Sequence, residues 1–228
     1  VVNKGTVKHE FTAGEFFRTV ATRKAETAES EVKVPFFTEI EVFAGKTVEI
    51  YLIPLIAGTY KLVCEIEGHL EAGMSGTITV TGKTPASPVL QLADVDEGQW
   101  AQKGPSLVDA ADWDASQELT IDLTEFAFTP KEITLTSGKP YILKVVNKGT
   151  VKHEFTAEAF FGSVAFRKAE DASGEFKAPA PREVEVFAGK DIEIYLIPTE
   201  AGTYKLVCEI EGHLEAGMSG TITVAPAG

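Results

Sequence analysis

The sequence predicts an all-β protein built from two antiparallel sandwiches, each with a short helical insertion. Three observations predict this. Apolar and polar residues alternate in short runs, Gly-rich turns separate the runs at regular spacing, and the whole pattern occurs twice. Sliding the chain against itself matches residues 1–80 to residues 145–224 without a gap, with most pairs identical. The differences are concentrated at positions 11–40 and their counterparts, whereas the segments that carry histidine, cysteine and methionine barely change.

In the second repeat the alternation is clear at 185–187, 191–197, 203–208 and 221–224, which read as half-buried strands. Turn signals at 188–190, 198–202 and 217–220 separate them. Residues 158–170 are the exception. Phe160, Phe161, Val164 and Ala165 fall near helical spacing there, so a short helix or two beside the sandwich is expected, with the Phe pair in the core. Ahead of this repeat, 118–123, 126–129, 131–136 and 141–146 supply about three further strand segments. The first repeat has no counterpart of them, so domain 1 lacks its first strands as given. Either those strands were removed from the sequence as given, or another chain supplies them through homo-oligomerisation or strand exchange, because an uncapped sandwich exposes sheet edge.

The expected division is a first domain over 1–82, an acidic linker over 83–116 and a second domain over 117–226. Connections beyond about 12 to 15 residues are usually functional or linkers. This one holds both tryptophans, Trp100 and Trp113, and the apolar runs 89–92 and 107–108, so it is expected to lie against a domain. A redox role for the tryptophans is the weaker reading.

With 228 residues, 44% hydrophobic and 24% charged, the chain can bury real cores. No apolar run approaches the roughly 18 residues needed to cross a bilayer. A net charge of -13 argues against nucleic acid, which is bound by releasing counterions to Lys and Arg. Acidity suits a basic partner, and equally a merely solvated surface. The two cysteines exclude a disulfide framework. A single Cys64–Cys208 bridge would leave unexplained why each cysteine is followed at the same spacing by His and Met.

The chain has four histidines, two cysteines and two methionines, and each falls into the repeat. One set is His9, Cys64, His69 and Met74; the other is His153, Cys208, His213 and Met218. A lone buried His or Met is usually packing. Here none is left over. One thiolate and two imidazoles suit a trigonal plane with the thioether as a long axial contact, an arrangement that accommodates copper in both oxidation states and lets an electron arrive with little movement. Zinc fits less well, since a thioether is a poor fourth ligand and structural zinc prefers at least two cysteines. Two copper sites per chain are therefore expected.

Both repeats resemble the cupredoxin family of blue, type 1 copper proteins. The loop of Cys, four residues, His, four residues, Met is similar to that of the rusticyanin, auracyanin and phytocyanin branches. The resemblance implies an eight-stranded Greek-key sandwich, reversible one-electron transfer, and an exposed histidine edge as electron port, carried here by His69 and His213. One departure is visible. Many cupredoxins place Asn after the first ligand histidine, tying the two ligand loops together, where this chain has Glu10 and Glu154. Asn3 and Asn147 are the candidates for that tie. Glu65, Glu67 and Glu71, with Glu209, Glu211 and Glu215, put negative charge beside the port, which suits steering of a basic redox partner or a solvated face.

The expected function is a two-centre carrier of single electrons between extracytoplasmic redox partners, a basic cytochrome among them. The location is periplasmic or otherwise extracytoplasmic, with any export signal upstream of Val1. The alternative is copper storage, delivery or resistance, or an accessory role in iron oxidation or uptake. Multicopper oxidases and copper nitrite reductases need further histidines for a type 2 or trinuclear centre, so the chain is expected not to be an enzyme.

Overall fold

The structure is a computed structural model. It describes residues 1–82 and 97–228, with side chains from 1–82 and from 104 onward. The first repeat contributes β1 (His9–Thr12), β2 (Val20–Glu26), β3 (Ser30–Lys33), β4 (Glu39–Val42), β5 (Glu49–Pro54), β6 (Gly58–Val63) and β7 (Ser75–Val80). Next come β8 (Gln117–Thr124), β9 (Ala127–Thr129), β10 (Glu132–Thr136) and β11 (Tyr141–Asn147). The second repeat then adds β12 (His153–Thr156), β13 (Val164–Glu170), β14 (Gly174–Lys177), β15 (Glu183–Val186), β16 (Asp191–Pro198), β17 (Gly202–Val207) and β18 (Ser219–Ala225). The all-β sandwich expectation holds.

Both sheets run through both repeats. One has the order β7-β6-β1-β4-β14-β13-β16-β11-β8-β9, the other β10-β18-β17-β12-β15-β3-β2-β5. They join where β4 pairs antiparallel with β14, and β15 with β3. Because β3 and β14, like β4 and β15, are the same segment of the two repeats, the pairing occurs twice around a pseudo-twofold axis. One hydrophobic cluster lies between the sheets and includes Phe17, Phe37, Phe155, Phe160, Phe161 and Phe176. Phe37 and Phe176, from different repeats, lie 6.3 Å apart.

The register sets Glu31 opposite Glu185 and Glu41 opposite Glu175. Like charges directly across a ladder are destabilising. Lysines offset them: Lys24 lies 2.6 Å from Glu31, Lys152 2.8 Å from Glu185, Lys8 3.0 Å from Glu41 and Lys168 2.7 Å from Glu175. At the axis itself, Thr27 Oγ1 and Ser30 Oγ each donate to Asp171 Oδ2 at 2.6 Å. Asp171 Oδ1 accepts the N–H groups of Ser173 and Gly174.

The helical insertion is shorter than expected. Only one turn forms, α1 (Gly14–Phe17) and, after the linker helix α2 (Glu97–Ala110), its counterpart α3 (Glu158–Phe161), while 164–170 is strand β13. Its first three residues are all buried and pair with β16, and a register shift between Phe166 and Lys168 lets the chain bend there. The helical spacing holds at Phe160 and Phe161, whereas from Val164 onward the chain pairs with β16 from Pro198 to Glu193, which gives its backbone groups partners along that edge. The Phe pairs are core, as expected.

Within the linker, α2 (Glu97–Ala110) packs on β13 and β16 and runs through Pro105, whose cost of about 3 kcal/mol in a helix interior argues against a helix in the sequence. Trp113 lies under the Arg167 guanidinium at 4.7 Å and donates from Nε1 to the Val108 carbonyl at 2.9 Å, so this part of the linker lies against the second repeat. The remainder of the linker expectation, residues 89–92 and the Trp100 side chain, lies outside the described residues.

In the second repeat β16 is covered by β11 and β8, and β18 by β10. Their counterparts β5 and β7 stand at the ends of the two sheets. Ile197 is 2% exposed and its counterpart Ile53 66%.

Candidate metal centres

In each repeat a strand pair and one loop bring the predicted residues together. His153 opens β12, opposite Val186 of β15, and Cys208 follows β17, which touches the far end of β12 at Thr156. The loop after Cys208 closes on itself: Cys208 N–H donates to the Met218 carbonyl, and Met218 N–H to the His213 carbonyl. Gly212 and Gly217 take φ values of 84° and 103°, a left-handed region that side chains with a Cβ rarely adopt, and this is what lets so short a loop return to its start. Gly68 and Gly73 do the same around Cys64, His69 and Met74.

The side chains converge. The potential ligand atoms of His9, Cys64 and His69 lie within 4.8 Å of one another, as do those of His153, Cys208 and His213. Sγ to Nδ1 is 3.2 Å for Cys64 and His69 and 3.3 Å for Cys208 and His213. Both ring nitrogens of the buried His153, and Nδ1 of His9, have no hydrogen-bond partner in the protein. Buried polar atoms are rarely left unpaired, so these nitrogens fit a metal ion. Burial, and then the nearby His213, push the His153 imidazole below its ordinary pKa, which keeps it neutral and able to ligate. Burial pushes the Cys208 thiol up, although the N–H groups of Glu154 and Ile210 oppose this.

The methionines expected in the axial position differ between repeats. Met218 is 0% exposed and Met74 37%. Met74 lines a cavity of about 450 Å³ together with His9 and Cys64. In the second repeat the turn between β8 and β9 covers the site: the Phe126 ring meets the His213 ring edge-on at 4.9 Å, and Glu125 Oε1 lies 4.0 Å from His153 Nε2. Glu125 is itself held by Thr150 and Val151 N–H groups, which lower its pKa to about 2. His69 is half-buried and His213 keeps 8% of its surface exposed. All six glutamates of the two loops are exposed around them.

The tie between the ligand loops is made by other residues than Asn3 and Asn147. Each Asn side chain donates to two carbonyls, Val7 and Val42 for Asn3, Val151 and Val186 for Asn147, pinning the turn before the first histidine to the neighbouring strand. Glu10 and Glu154 tie that strand to the cysteine loop. Glu10 accepts the Glu65 N–H at 2.8 Å and Glu154 the Glu209 N–H at 3.0 Å. Their own N–H groups donate to Cys64 Sγ and Cys208 Sγ at 3.3 Å. A carboxylate accepts what an Asn carbonyl would, so the substitution keeps the tie and adds a charge.

Comparison with known proteins completes the description. The sequence profile of the family described as cupredoxin-like domain matches residues 106–224. The copper-resistant cuproprotein CopI of Rubrivivax gelatinosus is 33% identical over 97 residues, which cover 42% of this chain and 59% of that protein. This chain thus spans less than two thirds of the relative's length. Among solved structures, an auracyanin from Roseiflexus castenholzii is 22% identical and covers 49% of this chain and 99% of its own, with a TM-score of 0.36. A multicopper oxidase from Campylobacter jejuni, 12% identical, covers 98% of this chain and 52% of its own, with a TM-score of 0.41. At such identities the likeness is one of fold.

These matches correct the expectation that the chain is not an enzyme. The multicopper oxidase from Campylobacter jejuni and a copper-containing nitrite reductase are cupredoxin-fold enzymes, and each match covers 98% of this chain and about half of the other protein. A histidine count within such a span says nothing of ligands supplied from elsewhere, so it excludes no enzyme.

Proposed function

Since this chain belongs to the cupredoxin family, we propose that it binds two copper ions and carries single electrons between partners outside the cytoplasm. The observation that carries the reading is the convergence, in both repeats, of a cysteine sulfur and two histidine nitrogens, with buried His153 nitrogens that no protein group satisfies. His9, Cys64 and His69 hold one ion with Met74 as the weak axial residue; His153, Cys208 and His213 hold the other with Met218. Bound copper supplies a one-electron couple whose two states share this ligand set. The chain's own groups supply the rest. The N–H groups of Glu10 and Glu154 stabilise the thiolates, and burial holds the His153 imidazole neutral and ready to ligate. The closed glycine loops prevent rearrangement.

Residues 1–82 and 117–226 act as the two functional units, with 83–116 between them. The exposed glutamates beside His69 and His213 support a basic redox partner, such as a cytochrome, met at the histidine edge. The uncovered β5 and β7 edges support completion of the first unit by strand pairing with another segment or copy. Among the described residues no helix is long and apolar enough to cross a membrane.

A second reading is favoured by the 33% identity to a copper-resistant cuproprotein: copper delivery or resistance, with redox cycling secondary. Titration of the purified chain with copper tests the shared premise. An intense thiolate-to-copper visible band saturating at two ions per chain is expected; no band would sink the assignment. Stopped-flow mixing with a basic cytochrome separates the two readings. Fast electron transfer that slows with salt supports the carrier, and slow, salt-insensitive transfer supports copper handling.

A further inference from the structure

Along the seam between repeats, the face of each sheet turned away from the core carries a chain of charge. In β12 and β15 the residues 154, 183 and 185 alternate with the buried His153 and the core residues Phe155, Val184 and Val186, so they share that face. Glu154, whose N–H reaches Cys208 Sγ and whose carboxylate holds the cysteine loop, stands beside Glu183. Burial and the neighbouring Glu183 push Glu154 up to about 7. The cation that meets this pair comes from the other repeat. Lys33, on β3, donates to Glu183 and lies 3.9 Å from Glu154.

The mirror arrangement exists in the other sheet. Lys177, on β14 of the second repeat, lies 2.6 Å from Glu39, next to Glu10, which holds the Cys64 loop in the same way. Glu183 and Glu39, like Lys33 and Lys177, are counterparts in the repeat. Neither lysine touches a candidate ligand of its own repeat. A reading in which they only hold the seam together explains the pairing with Glu183 and Glu39, but not why Lys33 also comes within ion-pair distance of Glu154, the carboxylate tied to the opposite cysteine loop.

We propose that Lys33 and Lys177 are cross-repeat positioning residues, each setting the reduction potential of the other repeat's copper centre through the glutamate bound to its cysteine loop. The oxidised centre carries one more positive charge than the reduced one. A lysine nearby therefore disfavours oxidation, and its removal stabilises the oxidised form. Lys33 comes within ion-pair distance of Glu154 itself, whereas Lys177 acts on Glu10 through Glu39, so the effect is larger at the second centre. Docking of the repeats would then be part of the tuning of both centres.

This rests on the copper reading above. The test is spectroelectrochemistry of the copper-loaded full chain at one fixed pH, with one centre silenced at a time by Cys64→Ser or Cys208→Ser. Lys33→Met is expected to lower the potential of the second centre and leave the first unchanged; Lys177→Met does the reverse with a smaller shift; Lys33→Arg keeps the native value. If Lys33→Met does not fold, Glu183→Gln reads the same contact in the opposite sense and raises the potential of the second centre. Potentials that ignore both lysines, or that shift together, overturn the proposal while a normal thiolate-to-copper band leaves the copper reading standing. Absence of the band overturns the copper reading itself, and this proposal with it.

Discussion

Thr27 and Asp171 occupy the same position of the two repeats, and the hydroxyl of the first donates to the carboxylate of the second at 2.6 Å. The seam is therefore not symmetric in chemistry although it is in backbone. The first repeat brings the donors Thr27 and Ser30, and the second an acceptor, Asp171, and a residue without a Cβ, Gly174. A Cβ on Gly174 would lie 2.4 Å from the Glu41 carbonyl oxygen across the seam. Thr27→Asp would set two carboxylates face to face in a buried place, and it is expected to cost about 3 kcal/mol of stability. Gly174→Ala is expected to cost about 1 to 3 kcal/mol by overpacking. Denaturant midpoints at constant m-value check both.

The same carboxylate gives the seam a pH dependence. Burial raises the Asp171 pKa despite the hydroxyl and N–H groups that bond it. An acid whose pKa is raised on folding binds its proton more tightly in the folded state. Its contribution is therefore fully present below its ordinary pKa of 3.8 and is lost as pH rises through the folded value. Asp171→Asn keeps an acceptor for Ser173 and Gly174 without titrating. The stability of the native chain relative to this variant is expected to fall as pH is raised from acid, by urea unfolding across a pH series; a flat difference would remove Asp171 from the account.

Cys64→Ser and Cys208→Ser each remove one thiolate. Each variant is expected to bind one copper less per chain and to lose about half of the thiolate-to-copper absorbance, and the double variant to lose all of it. Copper analysis beside visible spectra checks this. A single variant that abolishes the whole band would mean that the centres do not form independently.

Gly217→Ala puts a Cβ on a residue at φ 103° and is expected to cost about 1 to 2 kcal/mol. Gly212→Ala, at φ 84°, should behave alike. The cost falls on the loop that returns Met218 to the Cys208 N–H, so apo-protein stability should drop together with copper affinity. Calorimetry of the metal-free chain separates a loop effect from loss of a ligand.

Much of this protein is legible in its residues. Alternation over four to eight residues is a local property, so the strands around Cys208 and on either side of 188–190 could be read without a structure, and so could the repeat that doubles them. The candidate ligand sets were legible because Cys, His and Met share one loop at a fixed spacing. The short helix expected within 158–170 forms at Glu158–Phe161, but Val164 to Glu170 is strand, because apolar residues such as Val164 and Ala165 serve a helix and a strand equally well until a partner strand is known. Helix α2 was missed because Pro105 argues against it and only packing on β13 and β16 outweighs that.

The sequence by itself determined the strand content, the duplication and the residues that gather at each candidate centre, since these depend on neighbours along the chain. Tertiary structure decided which strands join. It paired β3 with β15 and β4 with β14, continued both sheets across the repeats, gave Glu10 and Glu154 the role expected of an asparagine, and left Met74 half open while enclosing Met218. The physical reason is that edge pairing and burial are long-range contacts, chosen by the competition of every exposed edge and charge in the folded chain. Identical eleven-residue loops thus stand in two different surroundings.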